Sequence, residues 1–232
     1  MPTIALCLPM IAFLFSCEHA TCTVPEAYRE YFQGSEEALT SKEGWEPGAL
    51  NLSQALAMRF RTPLVHGDVT RLLINLEKDG DERWSRYSEK ISESMRLKIV
   101  DRHERVFRQQ VRHRIAEDLR RYEKVVHVMV HTDPDHGGRV SLVTPEKSVL
   151  GESLAGEWAS RLRDGDVDAR CVRGADTGAF AMALAREFDS ACYAQIRLEV
   201  SQNFFLEGKP LRWETLKKIL LDALEQAVEK GT

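Results

Sequence analysis

The run VVHVMVH, residues 125–131, limits the possible folds more than any other stretch of this sequence. It is mainly apolar and β-branched, which is typical of a central strand in a parallel sheet covered on both faces. The run ends at His131, and a loop signature rich in Asp, Pro and Gly follows. A second apolar run, IAFLFSC at 11–17, is followed by Glu18 and His19. Ligands bind beyond the carboxyl ends of strands in such sheets, so these two ends are the first candidates for a functional site.

Helical patterns alternate with short apolar runs along the rest of the chain. Apolar residues three and four apart predict helices at 49–60, 150–163, 179–188 and 211–228, and a proline-initiated helix at 26–32. Extended segments are predicted at 64–65, 72–76, 140–143, 168–172 and 195–202. This alternation predicts one α/β domain over residues 1–232, with helices on both faces of a mixed, mostly parallel sheet.

The stretch 91–122 carries an apolar residue at every fourth position from Ile91 to Leu119, except at His103. A strict spacing of four advances about 40° beyond a full helical turn at each step, so the apolar stripe winds around a straight helix. We therefore expect this helix to be bent, split or buried on several sides.

The composition is that of an ordinary globular protein, with 43% apolar and 29% charged residues. The formal net charge is −4 and no block of Lys or Arg is present, so the sequence does not favour nucleic acid or a membrane as a partner. We expect a small-molecule substrate.

The first sixteen residues allow two interpretations. They are uncharged and apolar, and LFSC resembles a lipoprotein cleavage box, which would indicate secretion. Against this, no Lys or Arg precedes the apolar run, Pro9 interrupts it, and it is too short to span a bilayer. Met10 stands directly before the strand, so we interpret residues 1–9 as a dispensable extension. The five Cys are odd in number and widely spread, which favours reduced thiols in a cytoplasmic protein.

Two imidazoles and one carboxylate with an open fourth position form the usual catalytic zinc site. His19 and His131 could supply the imidazoles, and Glu18, Glu46 and Asp133 are the candidates for the carboxylate. The spacing alone does not indicate a metal site, and taken singly each His is more simply interpreted as a hydrogen-bonded residue at a strand end.

Two further residues bear on such a site. Glu199, on the predicted strand 195–202, is the candidate for a general base acting on water. His127 lies four positions before His131 and therefore on the same face of the strand. It is interpreted as a packed core residue, with support of the site as the alternative.

The sequence resembles the N-formylglutamate amidohydrolase family. SCEHATCTVPE is similar to the opening motif of that family, and GWEPGAL to its Gly-Trp/Tyr-Asp-Pro-Gly-Ala-Leu segment. The other similar segments, in family order, are VTRLLINLEKD, VVHVMVHTDP, CVRGADTG and RLEVSQ. The likeness extends from residue 11 to residue 202, and the conserved order of the segments makes it more specific than any single motif.

This resemblance implies a zinc-carboxypeptidase-like fold, a three-layer α/β/α arrangement, and hydrolysis of an amide beside a carboxylate-bearing group. It implies one zinc ion held by His19, Glu46 and His131, where Glu46 takes the place of the more usual Asp. By the same resemblance, Glu199 is the general base. The substrate-binding residues that it implies are Arg71, Arg173 and Lys78.

The sequence departs from the family pattern at the segment that grips substrate. The Asn-Arg pair of the family is Glu77-Lys78 here, and the Asp before it is Asn75. Two alternatives to an N-acyl amino acid amidohydrolase therefore stay open. One is a non-catalytic protein that binds a metal or small ligand, and the other is a peptidase acting on acidic or cell-wall peptides.

Overall fold

The computed structural model describes residues 11–134, 137–206 and 210–231. Their centre is a six-stranded sheet with the strand order β2-β1-β3-β6-β4-β5. The strands are β1 Ile11–Cys17, β2 Leu64–His66, β3 Lys124–Asp133, β4 Val140–Thr144, β5 Ala169–Arg173 and β6 Tyr193–Ser201. Strands β2, β1, β3 and β6 are parallel, whereas β4 runs antiparallel to β6 and parallel to β5. The predicted mixed, mostly parallel sheet is confirmed.

Helices cover both faces of this sheet, which confirms the three-layer arrangement. The α-helices are α1 Glu36–Thr40, α2 Ala49–Arg59, α3 Glu93–Ile99, α4 Arg105–Asp118, α5 Val149–Asp164, α6 Ala179–Glu187, α7 Asn203–Leu206 and α8 Pro210–Gly231. Short 3-10 helices occupy Glu26–Phe32, Gly80–Arg83 and Ser88–Lys90. Helices α2, α5 and α8 pack in one hydrophobic core, and α4 and α6 contribute to a second core on the opposite side.

The two faces of the sheet differ in chemistry because the strand period is two residues. The face under α2, α5 and α8, called the apolar face below, receives Val126, Val128 and Val130 from β3 and Ile196 and Leu198 from β6. The opposite face, called the polar face, receives the alternate residues. Its polar members are Ser16, His127, His131, Tyr193, Gln195, Arg197 and Glu199.

The stretch 91–122 is a helix interrupted by a wider turn. A π-helical segment, Val100–Glu104, joins α3 to α4. A π turn holds more residues than an α turn, so it reverses part of the drift that a spacing of four produces. As a result Ile99, Phe107, Val111 and Ile115 all reach the same core.

The prediction of an extended segment at 72–76 is wrong. The chain turns there instead, and the amide nitrogen of Leu73 donates to the carbonyl oxygen of Thr70 at 3.0 Å. Leu72, Leu73, Ile74 and Leu76 are nevertheless buried. A short apolar run shows that a segment is buried, but it does not fix the backbone conformation when turns satisfy the backbone hydrogen bonds.

The first apolar run is confirmed as a core strand. β1 pairs with β2 on one side and with β3 on the other, so a chain cleaved before Cys17 would lack an interior strand of the sheet. The predicted extension 1–9 lies outside the described residues. Among the helices of the described part, none has the length and apolar character needed to cross a membrane.

Candidate active site

The candidate site lies at one edge of the sheet, where β1 and β3 end side by side. Ser16 is in register with Met129, so the residues that follow β1 come close to the last residues of β3. His19 follows β1 and His131 lies near the end of β3. A loop brings the third residue, because the amide nitrogen of Glu46 donates to the carbonyl oxygen of His19 at 3.0 Å.

His19, Glu46 and His131 meet in one buried cluster. Each offers a donor atom, and these three atoms all lie within 4.8 Å of one another. The side chain of His131 is only 2% exposed. Three residues separated by up to 112 positions in the sequence (19 and 131) thus form the set that the family resemblance implied. Of the three carboxylates considered from the sequence, Glu46 is the one in this group of donors.

The carboxylate of Glu46 is tightly held. Its Oε2 accepts hydrogen bonds from His131 Nδ1 at 3.0 Å and from the amide of Thr132 at 3.2 Å, and its Oε1 accepts one from Arg71 at 3.2 Å. Burial alone would raise the pKa of Glu46, but the charge and hydrogen bond of His131 outweigh it and lower this pKa to about 2. Glu46 is therefore an ionised carboxylate with a fixed orientation, as an oxygen ligand for a cation requires.

The charged groups around His131 shift the pKa of its imidazole. Burial and the charge of Arg197 oppose protonation, but Glu46 and Glu77 outweigh them, so the pKa of His131 is raised above its usual value. The site without a metal therefore favours a positive charge on His131.

Three buried polar atoms at this site find no hydrogen-bond partner among the described residues: His19 Nδ1 and His131 Nε2 within the cluster, and Glu18 Oε2 beside it. His131 Nε2 and Glu18 Oε2 are 3.4 Å apart but do not make a hydrogen bond. Buried polar atoms are nearly always paired, so three unpaired atoms in one place require an explanation. Imidazole nitrogens and carboxylate oxygens are good ligands for a divalent cation, and the residues present fit such an ion.

Glu199 lies beside this cluster on the polar face, in register with His131 on the neighbouring strand. Its side chain is 24% exposed, and its Oε1 accepts a hydrogen bond from Arg197 Nε at 2.8 Å. A partly exposed carboxylate next to the proposed ligands is suitably placed to act on water or substrate.

Two residues at the site were missed in the sequence. Arg197 forms ion pairs with both Glu77 and Glu199, and Glu77 Oε2 lies 2.8 Å from His19 Nε2. Arg197 could have been found, because it stands two residues before Glu199 and so faces the same side of the strand. Glu77 is visible in the sequence as a departure from the family pattern, but no sequence feature indicates its contact with His19.

The cations expected to bind substrate are placed differently from one another. Arg71 binds Glu46 and also donates to the carbonyl oxygens of Lys42, Glu43 and Trp45, so it fixes the loop that carries Glu46. The side chain of Lys78 is 47% exposed, with Glu82 at 3.5 Å.

Arg173 ends β5 and is 64% exposed, with Glu152 at 3.8 Å. Neither Lys78 nor Arg173 has a described contact with His19, Glu46 or His131.

His127 is a packed core residue. Its Nδ1 lies 3.0 Å from the hydroxyl of Tyr193, and its Nε2 lies 2.9 Å from Ser16 Oγ, which in turn donates to Glu18 Oε1 at 3.0 Å. Burial lowers the pKa of His127 to about 3, so this imidazole is neutral. Among the described contacts, the link from His127 to the site runs through Ser16 and Glu18.

This chain is similar to known proteins in its structure, whereas the sequence comparisons found no match. No family model and no curated protein matches this chain. A gene product of Agrobacterium tumefaciens matches with a TM-score of 0.77 and 18% identity, over 95% of this chain and 90% of that one. N-formylglutamate amidohydrolase from Ralstonia eutropha matches with a TM-score of 0.69 and 12% identity, over 95% of both chains. This chain has the fold of that amidohydrolase. The comparison supports, at the level of the fold, the resemblance that the six sequence segments indicated.

Proposed function

We propose that this protein is a metal-dependent amidohydrolase that cleaves the amide of an N-acyl amino acid, such as N-formylglutamate, to a carboxylate and a free amine. One observation carries the proposal: the buried donors of His19, Glu46 and His131 lie within 4.8 Å of one another. Glu199 stands next to His131 on the adjacent strand. The shared fold of the Ralstonia eutropha amidohydrolase supports the same conclusion.

In this proposal His19, Glu46 and His131 hold one divalent cation. Two imidazoles and a carboxylate favour zinc among the common divalent metals. When bound, such an ion polarises the amide carbonyl and lowers the pKa of water, so that hydrolysis proceeds near neutral pH. The contact between Arg71 and Glu46 keeps the carboxylate ligand in place.

Glu199 is the proposed general base. It takes a proton from the attacking water as the oxygen of that water bonds to the acyl carbon. It then returns the proton to the leaving nitrogen as the carbon–nitrogen bond breaks. Arg197 holds Glu199 through its Nε at 2.8 Å, which fixes the carboxylate on the polar face.

Lys78 and Arg173 are the proposed partners of a substrate carboxylate. Lys78 lines a surface depression of about 410 Å³ together with Arg186, Asp79, Glu82 and Asp176. The two cations of this depression, Lys78 and Arg186, suit a small anionic group, whereas Arg173 is not among its lining residues. Three carboxylates line it as well, so a second, cationic group on the substrate would also be accommodated.

The test is an assay of metal content and hydrolysis on the same purified protein. A panel of N-acylated acidic amino acids, with acidic and cell-wall peptides added, is followed by the release of carboxylate and amine. We expect bound zinc and turnover of at least one member. Absence of both zinc and hydrolysis across the panel would contradict the proposal.

A non-catalytic binding protein is the second candidate, and the contacts of the expected substrate cations favour it. Arg71 is occupied by Glu46 and Lys78 lies near Glu82. Glu199→Gln separates the two candidates. A general base contributes about 10²- to 10⁴-fold to the rate, so turnover should fall by that factor while zinc stays bound. Unchanged turnover would remove Glu199 from the mechanism.

A further inference from the structure

Glu77 occupies a position between the proposed metal site and Arg197, on a segment with a fixed backbone. The amide of Glu77 donates to Asn75 Oδ1 at 3.1 Å, and its carbonyl oxygen accepts from the amide of Phe180 at 3.4 Å. The preceding residue, Leu76, is 1% exposed. The carboxylate therefore projects from a chain segment that is held on both sides.

The two oxygens of Glu77 have different partners. Oε2 lies 2.8 Å from His19 Nε2, whereas Oε1 pairs with Arg197 Nη1 and lies 3.6 Å from His131 Nε2. The side chain is 16% exposed, so both contacts are largely shielded from solvent. Glu77 has the capacity to serve both because a carboxylate offers two acceptor oxygens.

The contact with His19 determines which nitrogen of that ring is available to a cation. Nε2 is paired with Glu77, whereas Nδ1 is buried and has no hydrogen-bond partner in the part of the chain that the structure describes. A histidine that binds a metal usually donates its other ring N–H to a carboxylate, which fixes the tautomer and orients the ring. His19 has both features: one ring nitrogen lies against the carboxylate of Glu77, and the other is left for a cation.

We propose that Glu77 is a positioning residue for the metal site: it accepts the Nε2 proton of His19 and leaves Nδ1 to bind the cation. The proposal rests on the metal site of the proposed function, but not on its substrate or reaction. It also gives a role to a departure from the family pattern. The family has Asn at this place, and here Glu77 acts on His19 rather than on substrate.

The sharpest variant is Glu77→Gln, because glutamine has the same shape and only one acceptor oxygen. Arg197 and His19 face different oxygens of Glu77, so the NH2 group of the glutamine would face one of these two donors. We expect the affinity for Zn²⁺, measured by competition with a chelator at fixed pH, to fall by about 10- to 100-fold. Glu82→Gln is the matched control, since it makes the same change on an exposed glutamate five residues away and should leave the affinity unchanged.

Arg197→Gln tests whether Glu77 acts by positioning His19 or only through its ion pair with Arg197. This variant removes the Glu77–Arg197 ion pair but leaves the contact of Glu77 with His19. It should therefore retain far more Zn²⁺ affinity than Glu77→Gln. In the double variant Glu77→Gln with Arg197→Gln, the glutamine oxygen is free to accept from His19, and affinity should recover. Equal losses in the two single variants, or wild-type affinity in Glu77→Gln, would overturn the proposal.

A measurement on the wild-type protein does not depend on whether the variants fold. ¹⁵N NMR of the imidazole of His19 in the Zn²⁺-loaded full chain should show a proton on Nε2 and the metal on Nδ1. The opposite assignment would refute the positioning role. Neither readout involves amide hydrolysis, so failure of the proposed reaction would be seen separately.

Discussion

The apolar and polar faces of the central sheet are built from the same strands but receive side chains of different chemistry. On β3 the apolar face receives Val126, Val128 and Val130, all fully buried. The polar face of that strand receives His127 and His131, which are also buried but each hydrogen-bonded to another polar side chain. Burial of apolar side chains stabilises a fold, whereas each buried polar group costs free energy unless it is paired. The second hydrophobic core packs on the polar face, so both faces stabilise the fold. The polar face additionally holds the proposed active site, at a cost in stability.

The largest effect should come from the edge of the polar face. His131→Ala removes a proposed ligand, so bound Zn²⁺ should fall from one equivalent to nearly none, a larger loss than the 10- to 100-fold expected for an outer contact. Metal analysis of the dialysed protein measures this. His113→Ala is the control, since His113 is on α4 and its side chain is 73% exposed. Full retention of zinc in His131→Ala would remove the proposed site and with it the functional difference between the faces.

A substitution on the apolar face, next to the site in sequence, should lower the stability of the fold without changing zinc affinity. Leu198 is fully buried, and it lies between Arg197 and Glu199 but points to the other face. Leu198→Ala should lower the free energy of unfolding by about 2–5 kcal/mol, from lost burial and the cavity left behind. Denaturant titration measures the loss, and zinc affinity of the folded variant should match wild type. A large drop in zinc affinity would show that the two faces are not independent.

A smaller effect should appear in the pH dependence of stability. Burial holds the pKa of His127 near 3, against an ordinary value of 6.5 in the unfolded chain. Between these values the unfolded chain binds the additional proton, so this residue makes stability rise with pH and fall as the solution is acidified. At pH 5, His127 accounts for a decrease of about 2 kcal/mol in the free energy of unfolding relative to neutral pH.

The measurement compares the metal-free wild type with His127→Gln from pH 7 to pH 5. The variant lacks this titration, so its free energy of unfolding should decline less steeply with acidification. His131 and the carboxylates are common to both proteins and cancel in the difference. Parallel curves would show that His127 is not held neutral by the polar face.

Much of this protein followed from sequence patterns with simple physical meanings. The two apolar runs followed by or ending in His became β1 and β3, because short apolar runs rich in β-branched or aromatic residues are typical of buried strands. The helical patterns at 49–60, 150–163, 179–188 and 211–228 became α2, α5, α6 and α8. A single apolar segment failed, at 72–76, because burial of its side chains does not specify the backbone.

The sequence by itself determined the layered fold, the polar strand ends, and His19 and His131 as candidates. The choice of Glu46 came from the family resemblance, and only the tertiary structure showed that its carboxylate lies with the two histidines. Only the structure showed the contacts of Glu77 with His19 and Arg197. These contacts join residues 58 and 120 positions apart, between a turn, a strand end and β6. Such contacts depend on how separate elements pack, and no local propensity or spacing encodes them.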